Sequence, residues 1–191
     1  MMRVVFLMVG LLVASGCAQQ VSRLDPNQAV DLSGRWNDAD SRLVAEQMIN
    51  SLTTSERYKE YAQQLGRKPA ILVGLVRNKT SEHIDAANYI KKIEVAVFNS
   101  GLADLVESDN FRDLLRTERA EQQDFASSET VKKWGREIGA DLMLFGEMTS
   151  ETDLANNKRV VNYVTTLFLT EIETNKRVWF GQQEIKKLVR K

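Results

Sequence analysis

"PAILVGLVRNKTSEHIDAANYIKKIEVAVFNSG" runs from Pro69 to Gly101, and two different periodicities meet inside it. Its first part, Ala70 to Val76, is a short apolar run bounded by turn residues, the pattern of a strand buried on both faces. Its second part, Ala86 to Asn99, repeats apolar residues at Tyr89, Ile90, Ile93, Val97 and Phe98, which fall on one stripe of a helix. Ser100 and Gly101 close that helix in the manner of a glycine cap. Asp85 stands where an N-cap belongs, with its carboxylate placed to accept the backbone N–H of Ala87 or Asn88 and to oppose the helix dipole. A strand that leads straight into a helix opens an α/β fold.

The flanks extend the same alternation. Upstream, Asp40 or Ser41 caps a helix carrying Leu43, Val44, Met48 and Leu52, and a second helical stretch around Tyr58, Tyr61 and Leu65 stops at Gly66 and Pro69. Downstream, Leu102 to Ser108 reads as a strand, followed by a charged helix from Asn110 to Gln122 whose Leu114 and Leu115 turn inward. A further helix starts at Ser128 or Thr130, passes through Val131, Trp134 and Ile138, and ends at Gly139. Ala140 to Met148 is a third strand. Arg159 to Ile172 and Lys176 to Ile185 alternate apolar and polar residues, and the "ETNK" turn joins them as a hairpin. The fold class is α/β: a mixed four- to five-stranded sheet packed with helices and ending in a C-terminal β-hairpin.

The N-terminus has another purpose. "MMRVVFLMVGLLVASGCAQQ" places Arg3 before an apolar run, Val4 to Val13, and then the small residues Ala14, Ser15 and Gly16 before Cys17. The run is too short to cross a bilayer as a helix, so residues 1–16 read as a signal peptide. "ASGC" resembles the bacterial lipobox, which implies cleavage after Gly16 and lipid attachment at Cys17. Ala18 in place of Asp, by resemblance to sorted lipoproteins, directs the chain to the outer membrane, facing the periplasm. Cys17 is the sole cysteine, which excludes an intramolecular disulfide. Residues 17–40 are polar and read as a tether, and residues 41–191 as a single domain.

With 26 basic and 26 acidic residues and no cationic run, nothing in the charge points to nucleic acid. The three tryptophans, Trp36, Trp134 and Trp179, are not interleaved with cations as a single-strand binder would require. Neither "GxGxxG" nor "GxxxxGK[ST]" occurs, and no cofactor is expected. His83 is the one histidine, with Glu82 and Asp85 beside it, and that cluster lacks the nitrogen and sulfur donors of a zinc site. A hydrolase built on His83 would need a serine partner, and no "GxSxG" elbow is present. Asn78, Lys79 and Thr80 follow a strand end, where amide and hydroxyl groups satisfy loose backbone. Trp36 lies in a polar stretch, "DLSGRWNDADS", and either staples the tether to the domain or belongs to a contact surface.

"KPAILVGLVRNKTSEHID", the helix end "VFNSG", "LADLVES", "GREIGADLMLFGEM" and a terminal hairpin containing "GQQE" together resemble the LpoB family of outer-membrane lipoproteins, from about Asp31 onward. The resemblance implies a fold like the N-terminal domain of TolB and a non-enzymatic role: activation of a class A penicillin-binding protein, a bifunctional peptidoglycan synthase. Trp36, Asn78, Lys79, Thr80, Glu82 and His83 are candidate partner contacts on a ground of their own, as polar groups gathered outside the expected core. Enterobacterial members carry a long Pro-rich tether, whereas this chain has two prolines. A CsgG-like accessory lipoprotein of envelope assembly or secretion is the alternative of related architecture.

Overall fold

The structure, a computed structural model, describes residues 21–127, 129–130 and 137–190, with the side chain at 110 left aside. Cys17, Trp134 and most of the helix expected from Ser128 to Ile138 lie outside the described residues.

Helix α1 spans Asp38–Thr54, and its cap lies three residues before Asp40 and four before Ser41, the two caps that the sequence suggests. The cap is Asn37: its Oδ1 accepts the Asp40 N–H (3.1 Å) while Asp40 Oδ2 accepts the Asn37 N–H (2.8 Å). This reciprocal pair is a capping box, so Asp40 serves the third helical position rather than the cap. Ser55 ends α1 and caps α2 (Glu56–Leu65), which Gly66 closes in a left-handed conformation. Strand β1 (Ala70–Asn78) leads to α3 (Ala86–Ser100), capped by Asp85 through the N–H groups of Ala87 and Asn88 as the sequence predicts.

Next come β2 (Asp104–Leu105), α4 (Asp109–Phe125), β3 (Leu142–Ala155), β4 (Lys158–Glu171) and β5 (Arg177–Arg190). They build a five-stranded sheet ordered β2-β1-β3-β4-β5. β1 runs parallel to β2 and β3, and β3, β4 and β5 are antiparallel. The expected mixed α/β architecture with its terminal hairpin is therefore present.

Helices α1 and α3 cover one sheet face. Val44, Met48, Ile49 and Leu52 of α1 and Tyr89, Ile93 and Val97 of α3 share a buried cluster with Leu142, Leu144, Met148, Leu167, Leu169 and Trp179. Each large aliphatic side chain buried there contributes about 1.5–3 kcal/mol. The seam is tight: a Cβ on Gly181 would stand 2.2 Å from the Trp179 ring and 2.9 Å from Met48 Sδ. The other face carries a cross-strand row, Phe145, Phe168 and Phe180, with the Arg177 guanidinium 4.0 Å from the centre of the Phe168 ring.

Several local expectations are corrected. Phe98 is 71% exposed, because the stripe follows Tyr89, Ile93 and Val97 at four-residue steps and Phe98 falls about 100° round the helix from Val97. β1 is not buried on both faces: a register shift between Val73 and Val76 turns Leu75 outward. β2 is two residues long rather than seven, since it is an edge strand that leaves the sheet for the α4 N-cap at Ser108. Leu114 and Leu115 of α4 are exposed. The α4 arginines Arg112 and Arg116 pair with Asp109 and Asp113 of their own helix, and Arg116 also reaches Glu137. β3 continues past Met148 to Ala155, where Asn156 (φ 45°) and Asn157 (φ 61°) make a second tight hairpin with β4. β5 likewise continues past Ile185 to Arg190. Among the described residues no helix is long and apolar enough to cross a membrane.

Candidate functional site

Residues 78–85 connect the end of β1 to the cap of α3, and their polar groups are consumed largely by one another. Asn78 Oδ1 accepts both the Thr80 N–H (2.9 Å) and the Thr80 hydroxyl (2.7 Å). Asn78 Nδ2 donates to Glu82 O (2.8 Å), and the Glu82 N–H returns to Thr80 Oγ1 (3.2 Å). The loop is thus a small closed hydrogen-bond circuit rooted on β1.

The Glu82 carboxylate leaves that circuit and joins two distant elements. Its Oε1 accepts the Tyr163 hydroxyl of β4 at 2.7 Å, and its Oε2 accepts the Trp36 backbone N–H at 3.1 Å. Burial, and then the Glu82 carboxylate, raise the Tyr163 pKa well above the ordinary phenol range, so the hydroxyl stays protonated and donating. The Trp36 ring meets Tyr89 and Tyr163 edge-on, with centroids 6.3 and 5.5 Å away, and its indole N–H donates to Ser41 Oγ at 2.7 Å. Trp36 is therefore packed against the core and joins the residues before α1 to the domain.

A second tie lies beside it. Lys187 of β5 points to the helix-covered face with its side chain 9% exposed, and Nζ donates to Asp31 (2.5 Å), Asp40 (2.6 Å) and Arg35 O (3.0 Å). Burial works against its charge, but the two carboxylates outweigh burial and raise its pKa. The same hydrogen bond from Lys187 holds the Asp31 carboxyl below its usual range.

Of the candidate contacts, Trp36, Asn78, Thr80 and Glu82 are brought together. Lys79 turns to β3, pairing with Glu147 at 2.5 Å. His83 is exposed and makes no hydrogen bond among the described residues; it stands at one end of a groove of about 1020 Å³ between α1 and α3, whose lining also includes Glu46, Asn88, Lys92 and Asn99. Cys17 lies outside the described residues. Among the described residues His83 makes no bond to a base or nucleophile, and no group of three metal-ligating side chains occurs.

Sequence reading missed Tyr163, Asp31 and Lys187. Lys187 had a signal: it occupies the inward parity of β5 set by Trp179, Gly181 and Ile185, and an inward lysine requires a carboxylate. Tyr163 had none, because nothing local marks which β4 position lies under residue 82.

The LpoB C-terminal domain from Salmonella enterica is 15% identical, with TM-score 0.45, covering 76% of this chain and 98% of that one. The corresponding Escherichia coli domain is 17% identical, with TM-score 0.43, covering 80% and 99%. Lipoprotein GNA1162 from Neisseria meningitidis is 13% identical, with TM-score 0.40, covering 63% and 83%. Comparison with curated protein sequences gives no match. A family model described as peptidoglycan-synthase activator LpoB matches residues 40–185, well over half of the chain. The chain belongs to that family, whose members are regulators rather than enzymes.

Proposed function

We propose that this protein is a lipid-anchored periplasmic activator of a class A penicillin-binding protein, held to the outer membrane through Cys17. Family membership supplies the general activity, stimulation of peptidoglycan synthesis. The observation that carries the reading at residue level is the closed circuit of Asn78, Thr80 and Glu82, which presents His83 and the α1–α3 groove as an already ordered surface. Ordering before contact lowers the entropic cost of association, which suits a binding module. Activation then follows from differential affinity: a protein that binds the active synthase conformation more tightly than the inactive one shifts the population toward activity. A tenfold shift requires about 1.4 kcal/mol of difference between the two affinities.

The test is capture of the synthase from envelope extract by the intact protein, followed by a glycan polymerisation assay with the captured synthase. An increased polymerisation rate on adding this protein is expected. Failure to retain a class A synthase, or an unchanged rate, refutes the proposal. Cys17→Ser is expected to move the protein from the membrane to the soluble fraction, and retention in the membrane refutes the anchor.

A further inference from the structure

The residues before α1 do more than precede it. Asp31 is bound by Lys187 Nζ (2.5 Å) and Asn37 Nδ2 (2.7 Å), and Ser33 O accepts from Arg159 Nη2 at 3.4 Å. Gly34 adopts φ +66°, and a Cβ there would fall 2.2 Å from Val189 Cγ2, so the chain lies flat on β5 at that point. Two residues later Trp36 inserts its ring between Tyr89 and Tyr163 and gives its N–H to Glu82. This is a strap across the ends of β4 and β5, running from Asp31 to Trp36.

The loop on the other side of Trp36 has few independent ties. Lys79 is held at its root by Met148 O and Glu147, and Ile84 rests against the core. Among the described residues, the hydrogen bonds linking residues 80–84 to any element other than Asn78 of β1 are the two accepted by the Glu82 carboxylate, from Trp36 and Tyr163. Removing Trp36 from its seat deletes one of those bonds and takes away the ring packed against the tyrosine that makes the other.

We infer that the Asp31–Trp36 strap is a conformational latch: its seating holds residues 80–84 in place, and displacement of the chain at Asp31 or before it is passed through Trp36 and Glu82 to that loop. Ahead of Asp31, Arg42 of α1 donates to Pro26 O (2.6 Å) and Asn27 O (2.9 Å), so a load on that segment is shared between α1 and the strap. The loop adjoins the α1–α3 groove, so the shape of one end of that groove depends on the state of the strap. The inference does not depend on lipid attachment or on the identity of the partner.

The test displaces the strap at a point remote from the loop. Gly34→Val forces a side chain into Val189 at a backbone conformation hostile to branched residues, without touching Glu82 or residues 78–85. Residue-resolved amide hydrogen exchange is measured on the full-length protein and the variant. The expected result is exchange about tenfold faster at Trp36, Thr80 and Glu82, with the core-strand amides of Leu144 and Leu169 changed by less than about twofold. Faster exchange at Trp36 with Thr80 and Glu82 unchanged overturns the coupling. Unchanged exchange at Trp36 overturns the latch itself, and so does equal acceleration of the core strands, since the strap would then be inseparable from the global fold.

Discussion

Replacing Lys187 by methionine keeps the apolar stem of the side chain and removes the ammonium that three oxygens surround. The loss can be worked from those oxygens. Deleting one partner of a buried ion pair costs about 3–5 kcal/mol, because the remaining charge is left without compensation. Asp31 lessens that figure, since its side chain is 56% exposed and regains water. Asp40 is different: it is 7% exposed, and among the described residues the Asn37 N–H is its one remaining donor once Lys187 is gone. A loss of about 2–3 kcal/mol results, carried mainly by Asp40. With a urea slope of about 2 kcal/mol/M, the unfolding midpoint falls by roughly 1–1.5 M at constant slope. Asp40→Asn in the same chain removes the orphan charge and retains an acceptor for the Asn37 N–H. The double variant is therefore more stable than Lys187→Met alone by about 1 kcal/mol. A single-variant loss below about 0.5 kcal/mol, or a double variant less stable than Lys187→Met, refutes the reading of Lys187 as a buried counter-ion.

Asp141 accepts two hydrogen bonds from Arg67 (2.7 and 2.8 Å) and one from the Ala70 N–H, and although burial raises its pKa these bonds outweigh burial and lower it. Such a carboxylate stabilises the fold fully above its unfolded pKa of about 3.9 and loses that contribution as pH falls through the folded value, so urea midpoints decline below about pH 4. Asp141→Asn is expected to flatten that acid slope, and an unchanged slope refutes the assignment. Tyr163→Phe leaves Glu82 Oε1 without its donor and is expected to cost about 1 kcal/mol by urea unfolding, with the circular dichroism spectrum unchanged. Asn157→Gly relieves a residue held at φ 61° in the β3–β4 turn and is expected to raise stability by about 0.5 kcal/mol, with a lower midpoint counting against the turn geometry.

Much of the fold was legible because its signals are local. Asp85 and Gly101 bracket α3 by cap chemistry that needs nothing beyond neighbouring residues. The start of α1 was misplaced because Asn37, Asp40 and Ser41 are all competent caps, and only the reciprocal bond between Asn37 and Asp40 chooses among them. The inward orientation assigned to Leu114 and Leu115 failed for a related reason: periodicity shows that a helix has an apolar stripe, while neighbours decide whether anything covers it. The second hairpin was missed because the polar end of β3, Glu151 to Ala155, carries no burial signal and is held by its ladder with β4 alone.

In the candidate site the same division holds. Asn78, Thr80 and Glu82 were recognisable as a polar connection, since side chains two residues apart after a strand end bond to one another whatever surrounds them. Glu82 reaches Trp36 and Tyr163 across 46 and 81 residues of chain, and in the neighbouring tie Lys187 reaches Asp31 across 156. Sequence alone determined the caps of α3, the strand and helix periods, the family and the absence of a catalytic pattern. Tertiary structure decided which carboxylate meets which distant donor, because sheet order and register set those distances and no short-range rule encodes them.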